Sequence, residues 1–180
     1  RDAVTRHGEG ETLRVTDAIQ RTLLPSLSRL SDGARRLLVI VSVIGDGAPV
    51  QLVERVLDRP RGLATVLAEV RKHELLREES RSGESTLSFQ HPLMGPAVFE
   101  SLPVAERRRL HAAVGAALEA LHAGRLHEVY DLLADHYGRS ADPAKAIAYL
   151  PHLIPKAEQS GPLVDAVAAL CREAASGDVL

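Results

Sequence analysis

The 180-residue chain has few aromatic residues, no tryptophan and a single cysteine. Aromatic residues make up only 3% of the chain, so a core has to be built from leucine, valine and alanine, a mixture that favours helix packing over stacked sheets. Apolar residues reach 45%, enough for one large domain or two small ones. We therefore predict a mostly α fold.

Other absences exclude classes of partner and location. A formal net charge of -2 argues against a protein whose main task is to grip a nucleic acid, because that affinity comes from concentrated lysine and arginine. The lone Cys171 cannot form an internal disulfide, which fits a reducing cytoplasm. No apolar run approaches the roughly 18 residues of a membrane span, so no membrane contact is expected.

Catalytic motifs are missing as well. No phosphate-binding G-x-x-x-x-G-K-[ST] occurs, and the "GDG" at residues 45–47 lacks the lysine. No nucleophile elbow G-x-S-x-G occurs either. We expect the chain not to be an enzyme by itself and to have no catalytic residues. Because it begins at Arg1 without methionine and stops soon after a helical pattern, we expect a piece of a longer protein.

Residues 1–30 are predicted to form a linker and lead-in helices. The first twelve are polar and without a period, and the apolar spacing that follows is interrupted by Pro25. The next segment, "LLVIVSVI" at residues 37–44, has the β-branched composition of a buried strand. The capping residues Ser31 and Asp32 and the stop signal Gly45 favour a helix instead.

Two further helices and a hairpin follow. Pro49 is expected to open the second helix, and residues 62–73 form the third. The segments "ELLREE" and "STLSF", separated by "SRSG", have the composition of a β-hairpin. Three helices followed by a two-stranded wing predict a winged-helix domain at residues 31–102.

Residues 103–180 are predicted to be a helical, tetratricopeptide-like region. Two apolar stripes have helical spacing: Leu110, Val114, Ala117, Leu118 and Leu121, then Leu126, Val129, Tyr130, Leu133, Ala134 and Tyr137. Asp142 and Pro143 start another helix, and Pro162 starts a further one. Paired helices with a period of about 34 residues are typical of such repeats. Pro151 and Pro155 are expected to kink their helix or end it early.

One segment also carries a family resemblance. "FQHPLMGPAVFESLPVAERRRLHAAVGAALEAL", residues 89–121, resembles a segment downstream of the ATPase core in bacterial STAND-class signal-transduction ATPases, which include large LuxR-type transcriptional regulators and ATPase-containing relatives of class III adenylate cyclases. The matching residues are Phe89, His91, Leu93, Ala97, Ser101, Leu102, Arg107, Leu110 and His111. Residues 26–57 and 132–150 are similar to that family's first winged-helix helices and its first tetratricopeptide-like repeat.

The resemblance implies a role for His91. In related switch ATPases the winged helix folds over bound ADP, and a histidine at the end of the wing contacts a phosphate. His91 is similar in placement, which makes it the candidate ADP- or ATP-binding residue in the parent protein only. Pro92 biases it toward an extended backbone and is expected to start the next helix, which Gly95 and Pro96 should interrupt. The alternative, that His91 caps and packs beneath the wing, stays open.

Three other groups of charged residues indicate a function less strongly. "ERRRLH", residues 106–111, fits a solvated helix face, and its functional alternative is a contact of Arg107 with the upstream ATPase core. His127, Asp131 and Asp135 lie four apart on one predicted helix face, which favours a solvated face over a metal site. Direct DNA binding is disfavoured, because acidic residues nearly cancel the basic ones around an apolar third helix.

We therefore predict a non-catalytic regulatory segment of a nucleotide-switch signalling ATPase or transcriptional regulator. The winged helix would stabilise the nucleotide-bound resting state, and the helical arm would sense a ligand or protein. The partners implied are the upstream ATPase core of the same chain and an effector on the arm. The alternatives are a DNA-binding winged-helix transcription factor and a helical protein-interaction scaffold.

Overall fold

A computed structural model of the chain describes residues 29–57, 62–81 and 83–152. The described part is mostly helical, with one small three-stranded antiparallel sheet. The mostly α prediction is thereby confirmed. The lead-in helices expected around Pro25 and the helix expected from Pro162 lie outside the described residues.

The chain divides into two compact units between Arg107 and Arg108. We call the described residues up to Arg107 the N-terminal unit and those from Arg108 onward the C-terminal unit. The division falls inside the helix Val104–Leu121, a few residues beyond the boundary expected after Leu102. No helix in the three described ranges has the length and apolarity that crossing a bilayer demands.

The N-terminal unit consists of four helices and the sheet. Its elements are α1 Asp32–Ile44, β1 Ala48–Pro49, α2 Val50–Leu57, α3 Leu63–Lys72, β2 Leu76–Arg81, β3 Glu84–Phe89 and α4 Met94–Glu100. Strand β3 lies between the other two and pairs antiparallel with both. Helix α1 packs against α2, α3 and α4 and so forms the centre of the unit.

The segment 37–44 is helical, and its ends explain why. The hydroxyl of Ser31 accepts a hydrogen bond from the backbone N–H of Ala34 at 3.2 Å and donates one to the carboxylate of Glu69 in α3 at 2.6 Å. Gly45 ends the helix with φ +105°, a value that side chains disfavour. The capping residues therefore outweigh the β-branched composition, and the helix prediction is confirmed.

Strand β1 was not predicted. Pro49 does not open α2 as expected but pairs with Thr86 of β3, and α2 begins one residue later at Val50. Next to this pairing, the backbone N–H of Gly47 donates to the hydroxyl of Ser88 at 3.1 Å. Two residues are too few to show an alternation of polar and apolar side chains, so only the pairing with β3 defines the strand.

The hairpin is present, but its turn is shorter than the predicted loop "SRSG". Ser80 pairs with Ser85 and Arg81 with Glu84, so the strands extend into the segment expected to be a loop. Gly83 adopts φ +86° at the turn. Positive φ is typical of short hairpin turns, which glycine permits without steric cost.

The C-terminal unit contains most of α5 and two shorter helices. Its elements are α5 Val104–Leu121, a 3-10 turn Leu126–Glu128, α6 Tyr130–Gly138, α7 Pro143–Tyr149 and a 3-10 turn Leu150–His152. The continuous helix expected from Leu126 to Tyr137 is wrong, because Val129 has φ -131° and separates the turn from α6. Helix α7 ends before Pro151, in agreement with the early end predicted there.

Close packing in the C-terminal unit depends on one glycine. A Cβ atom on Gly115 of α5 would lie 2.7 Å from the ring Cζ of Tyr137 in α6. Both residues are buried. The missing side chain at position 115 therefore lets the tyrosine ring lie directly on the backbone of α5.

Candidate functional site

His91 lies between β3 and α4, the strand-to-helix joint that the sequence predicts. The backbone N–H of Gln90 donates to the carbonyl of Leu75 at 3.0 Å, and that of Met94 donates to the carbonyl of His91 at 3.0 Å. Phe89 and Met94 are buried, whereas His91 is exposed. The joint is thus anchored on both sides, and the imidazole does not pack beneath the hairpin.

The residues after His91 differ from expectation. Helix α4 starts at Met94 rather than Pro92, and Gly95 and Pro96 lie in its first turn without interrupting it. The first four amides of any helix lack a partner within it, so the missing N–H of Pro96 removes no bond. A Cβ on Gly95 would lie 3.1 Å from the ring of Phe89, so the glycine brings α4 close to β3.

Helix α4 has only seven residues, and its dipole therefore adds little to an anion site. The ring of His91 is instead the group at this joint that can bind an anion. An imidazole N–H can donate a hydrogen bond to a phosphate oxygen, and a protonated ring also carries a positive charge.

Arg107, the candidate for a contact with the ATPase core, is engaged within the N-terminal unit. Its Nε donates to the carbonyl of Leu102 at 2.8 Å and its Nη2 to the carbonyl of Glu100 at 3.0 Å. The guanidinium also lies 5.1 Å from the centroid of the Phe99 ring. Arg107 thus stabilises the end of α4, and its role toward a partner stays a prediction.

The polar residues proposed to share one helix face do not. Asp131 and Asp135 lie in α6, but His127 lies in the preceding 3-10 turn. All three are exposed. Within the described residues, no group of three or more histidine, cysteine, aspartate or glutamate side chains is arranged to hold a metal ion.

A pair of buried histidines joins α5 to α6. The Nδ1 atoms of His111 and His136 are 2.9 Å apart, and the two side chains are only 3% and 4% exposed. At that distance one ring donates its hydrogen to the other, so the two rings adopt different tautomers. The ring planes are tilted by 44°.

Burial makes this pair hard to protonate. Burial, together with a smaller contribution from a positive charge on His111, lowers the pKa of His136 to about 4. Burial likewise lowers the pKa of His111, with a smaller contribution from Arg139. Asp135 acts in the opposite direction on both rings, but it forms an ion pair with Arg139 at 2.9 Å. Both imidazoles are therefore neutral at pH 7.

A second polar cluster joins α5 to α7. The hydroxyl of Tyr149 donates to the carboxylate of Glu119 at 2.6 Å, and Lys145 donates to the hydroxyl of Tyr137 at 3.3 Å. Burial and the bond to Glu119 raise the pKa of Tyr149 to about 12. Burial would raise the pKa of Glu119 too, but its tyrosine hydrogen bonds and Lys145 outweigh it and lower the pKa. This cluster keeps its phenols protonated and serves packing.

Sequence reasoning did not identify the histidine pair, although a signal exists. His111 lies three residues before Val114 and seven before Leu118, both on the apolar stripe of α5. His136 lies three residues after the buried Leu133. The helical period therefore indicates that both histidines face the core, but it does not indicate that they meet.

Comparisons with known proteins found no relative of this chain. No known protein family matches the chain, and neither the curated proteins nor the solved structures gave a match. The resemblance to STAND-class ATPases therefore stays a prediction that rests on the residues quoted for it.

Proposed function

We propose that the chain is a non-catalytic regulatory segment of a nucleotide-switch signalling ATPase or transcriptional regulator. In this proposal, residues 31–102 form a winged helix that stabilises the ADP-bound resting state, and residues 103–180 form a tetratricopeptide-like arm. The observation that carries the proposal is the exposed imidazole of His91 at an anchored joint between β3 and α4.

The order of elements supports a winged helix. Helix α1 is followed by the short strand β1, helices α2 and α3, and then the hairpin of β2 and β3. The sheet order β1-β3-β2 is the one expected when the first strand of a winged helix pairs with the last. In such a domain the hairpin is a wing that can contact a neighbour.

His91 would act by binding a phosphate oxygen of ADP held by the upstream ATPase core. A hydrogen bond to a charged group contributes about 1.5–3 kcal/mol, which corresponds to a tenfold to hundredfold change in affinity. Because only the closed state would contain this bond, it would favour that state. An effector on the arm would open the switch only if it bound the open state more tightly.

The test is the rate of ADP release from the longer protein that contains the ATPase core. We expect His91→Ala to release ADP about tenfold faster or more, because the phosphate bond is lost. Gln90→Ala is the matched control, since Gln90 is an exposed neighbour at the same joint without an imidazole. Equal release rates for the two variants would remove His91 from the proposal.

DNA binding by the N-terminal unit is the first rival. The exposed residues of α3 include Ala64 and Ala68, which cannot hydrogen-bond to base edges, and Arg71 pairs with Glu78 of β2. These features favour the switch over the rival. Steeply salt-dependent binding of duplex DNA by the chain would reverse that preference.

A scaffold for a protein partner is the second rival. It is favoured by two large apolar side chains on the C-terminal unit, Leu132 at 46% and Ile147 at 48% exposed. Exposed apolar side chains are common singly, so they support this function less than His91 supports the first. A partner complex whose affinity in the longer protein ignores ADP would favour the scaffold.

A further inference from the structure

The outward side of α7 is apolar. Ala144, Ile147 and Ala148 of the helix and Pro151 of the 3-10 turn after it are all exposed, and Ile147 is 48% exposed. Their positions follow the i, i+3, i+4, i+7 pattern of a single helix face. We call these four residues the α7 stripe.

The one charge in the sequence of α7 does not solvate this stripe. A helix face that meets water carries charged and polar residues. Lys145 is the single charged residue of α7, and its ammonium lies 3.3 Å from the hydroxyl of Tyr137 and 3.5 Å from the carboxylate of Glu119. The stripe therefore has the composition of a packed surface.

Helix α6 shows the ordinary pattern for comparison. Its exposed leucine, Leu132, lies among the exposed charged residues Asp131, Asp135 and Arg139. A single apolar side chain in such surroundings needs no partner. Leu132 and Ile147 are almost equally exposed, at 46% and 48%, so they form a matched pair for substitution.

The chain itself contains a segment that matches the α7 stripe. Residues 162–174 lie outside the described residues, and their sequence "PLVDAVAALCREA" predicts an amphipathic helix that starts at Pro162. The apolar residues share one side at helical spacing: Leu163, Val164, Val167, Leu170 and Cys171. The charged residues Asp165, Arg172 and Glu173 fall on the other side.

We propose that residues 162–174 form a helix that docks on the α7 stripe and buries Cys171 in the contact. The connection is long enough, because residues 153–161 can span up to about 30 Å, whereas α7 is about 10 Å long. Ala144 and Ala148 have small side chains, so another helix can approach closely. This inference does not rest on the nucleotide switch, and either can fail without the other.

A second copy of the chain fits the α7 stripe less well than this segment does. A stable interface between two proteins buries about 800 Å² on each partner and uses about 20–30 residues of each. The stripe has only four residues, and two of them are alanines. It therefore offers the area of one helix face. A segment joined to α7 by a short connection also has a high effective concentration there.

The test is the rate at which iodoacetamide alkylates Cys171, the single cysteine of the chain. In the full chain Cys171 should react at least about tenfold more slowly than in concentrated urea, because access limits the reaction of a covered thiol. Ile147→Gln should raise the native rate about tenfold, since a buried apolar contact is lost. Leu132→Gln, the matched control, should leave the rate unchanged.

Three results of this experiment would overturn the proposal. The first is a wild-type rate equal to the rate in urea, which would leave the stripe to an outside partner or to solvent. The second is an equal rate in the wild type and in Ile147→Gln. The third is an acceleration in Leu132→Gln as large as that in Ile147→Gln, because it would remove the assignment to α7.

The circular dichroism of tyrosine in the near ultraviolet verifies that the variants are folded. The three tyrosines, at positions 130, 137 and 149, all belong to the C-terminal unit, and the chain has no tryptophan. An unchanged spectrum therefore means that α6 and α7 are intact. If the spectrum of Ile147→Gln changes, Ile147→Ala takes its place with the same expected direction, because alanine is the best helix former.

Sedimentation equilibrium separates the chain's own segment from a second copy. We expect a monomer in the wild type and in Ile147→Gln, with an alkylation rate that does not depend on protein concentration. A wild-type dimer that Ile147→Gln dissociates would replace the proposal by self-association. Amide hydrogen exchange checks the segment itself: residues 163–173 should exchange more slowly in the wild type than in Ile147→Gln, and an unprotected wild-type segment would contradict docking.

Discussion

In the N-terminal unit, α1 buries Leu37, Leu38 and Ile40 almost completely. In the C-terminal unit the interior between α5 and α6 contains two imidazoles and the phenol of Tyr137. Ser88 is the single buried polar residue in the described part of the N-terminal unit. The helices of the two units are therefore held together by different interactions.

This difference determines how the stability of each core responds to a change of pH. Apolar burial contributes about 1.5–3 kcal/mol for each large side chain and does not depend on protonation. Hydrogen bonds between titratable groups are directional, and they fail when a proton is added or removed. A core of the first kind suits a rigid support for an exposed group such as His91. A core of the second kind suits a region that responds to its environment.

The largest expected effects come from cavities in the two cores. Leu37→Ala in the N-terminal unit and Leu133→Ala in the C-terminal unit should each destabilise by about 2–5 kcal/mol, because both side chains are fully buried. Leu133→Ala should shift the urea transition of the tyrosine signal, and Leu37→Ala chiefly the far-ultraviolet transition. If both signals shift equally in both variants, the units unfold as one, and the comparison between them fails.

A smaller effect tests the contact specific to the C-terminal unit. Gly115→Val should displace the ring of Tyr137 and cost about 1–3 kcal/mol through overpacking. Gly138→Ala is the matched control, because its added Cβ would meet Ala146 at an ordinary 4.0 Å. That variant should be neutral or stabilising by up to about 1 kcal/mol. Tyrosine circular dichroism and urea unfolding measure both, and equal stabilities would disprove close packing at Gly115.

A substitution at Arg107 tests how much the hydrogen bonds of this side chain contribute to the stability of the N-terminal unit. Arg107→Ala should cost about 1–2 kcal/mol, because the carbonyls of Glu100 and Leu102 lose their donor. Arg108→Ala, which removes an exposed arginine next to it, should change stability by less than about 0.5 kcal/mol. Thermal unfolding compares the two variants. Identical melting temperatures would mean that Arg107 is free to serve a partner.

The smallest effect concerns acid in the N-terminal unit. Hydrogen bonds from the side chain and backbone of Ser31 lower the pKa of Glu69 below 4.5. This contribution is present above pH 4.5 and is lost as the pH falls through the folded pKa. Glu69→Gln should therefore reduce the acid sensitivity of the far-ultraviolet transition, and the exposed Glu100→Gln should not. A loss beginning near pH 6.5 in this unit would remove the contrast with the buried histidine pair of the C-terminal unit.

Much of the local structure could be predicted from short stretches of sequence. Ser31 and Gly45 mark the two ends of α1, and "STLSF" predicts β3. The position of His91 at the joint follows from the strand before it and Pro92 after it. These predictions succeed because capping, alternation and the fixed φ of proline act over a few residues. The start of α4 was predicted less accurately: the helix begins at Met94 and not at Pro92, since a proline fits both a turn and a first helical turn.

The features that the sequence did not predict have a common cause, which is that they depend on contacts with residues outside the local pattern. Strand β1 exists only through its pairing with β3, and the bond between Gly47 and Ser88 joins residues 41 positions apart. Arg107 lies in a charged stretch whose composition is typical of a solvated helix face. In the structure its guanidinium instead donates hydrogen bonds to the carbonyls of Glu100 and Leu102. No local pattern specifies which distant group a side chain will meet.

The sequence by itself determined a mostly helical chain with a capped first helix, a β-hairpin and a histidine at the joint that follows it. Each of these features depends on the conformational preferences of neighbouring residues. Tertiary structure alone decided that His111 and His136, 25 positions apart, share one hydrogen, and that Gly115 accommodates Tyr137. Such contacts depend on how helices pack, and packing is set by the fit of many side chains at once.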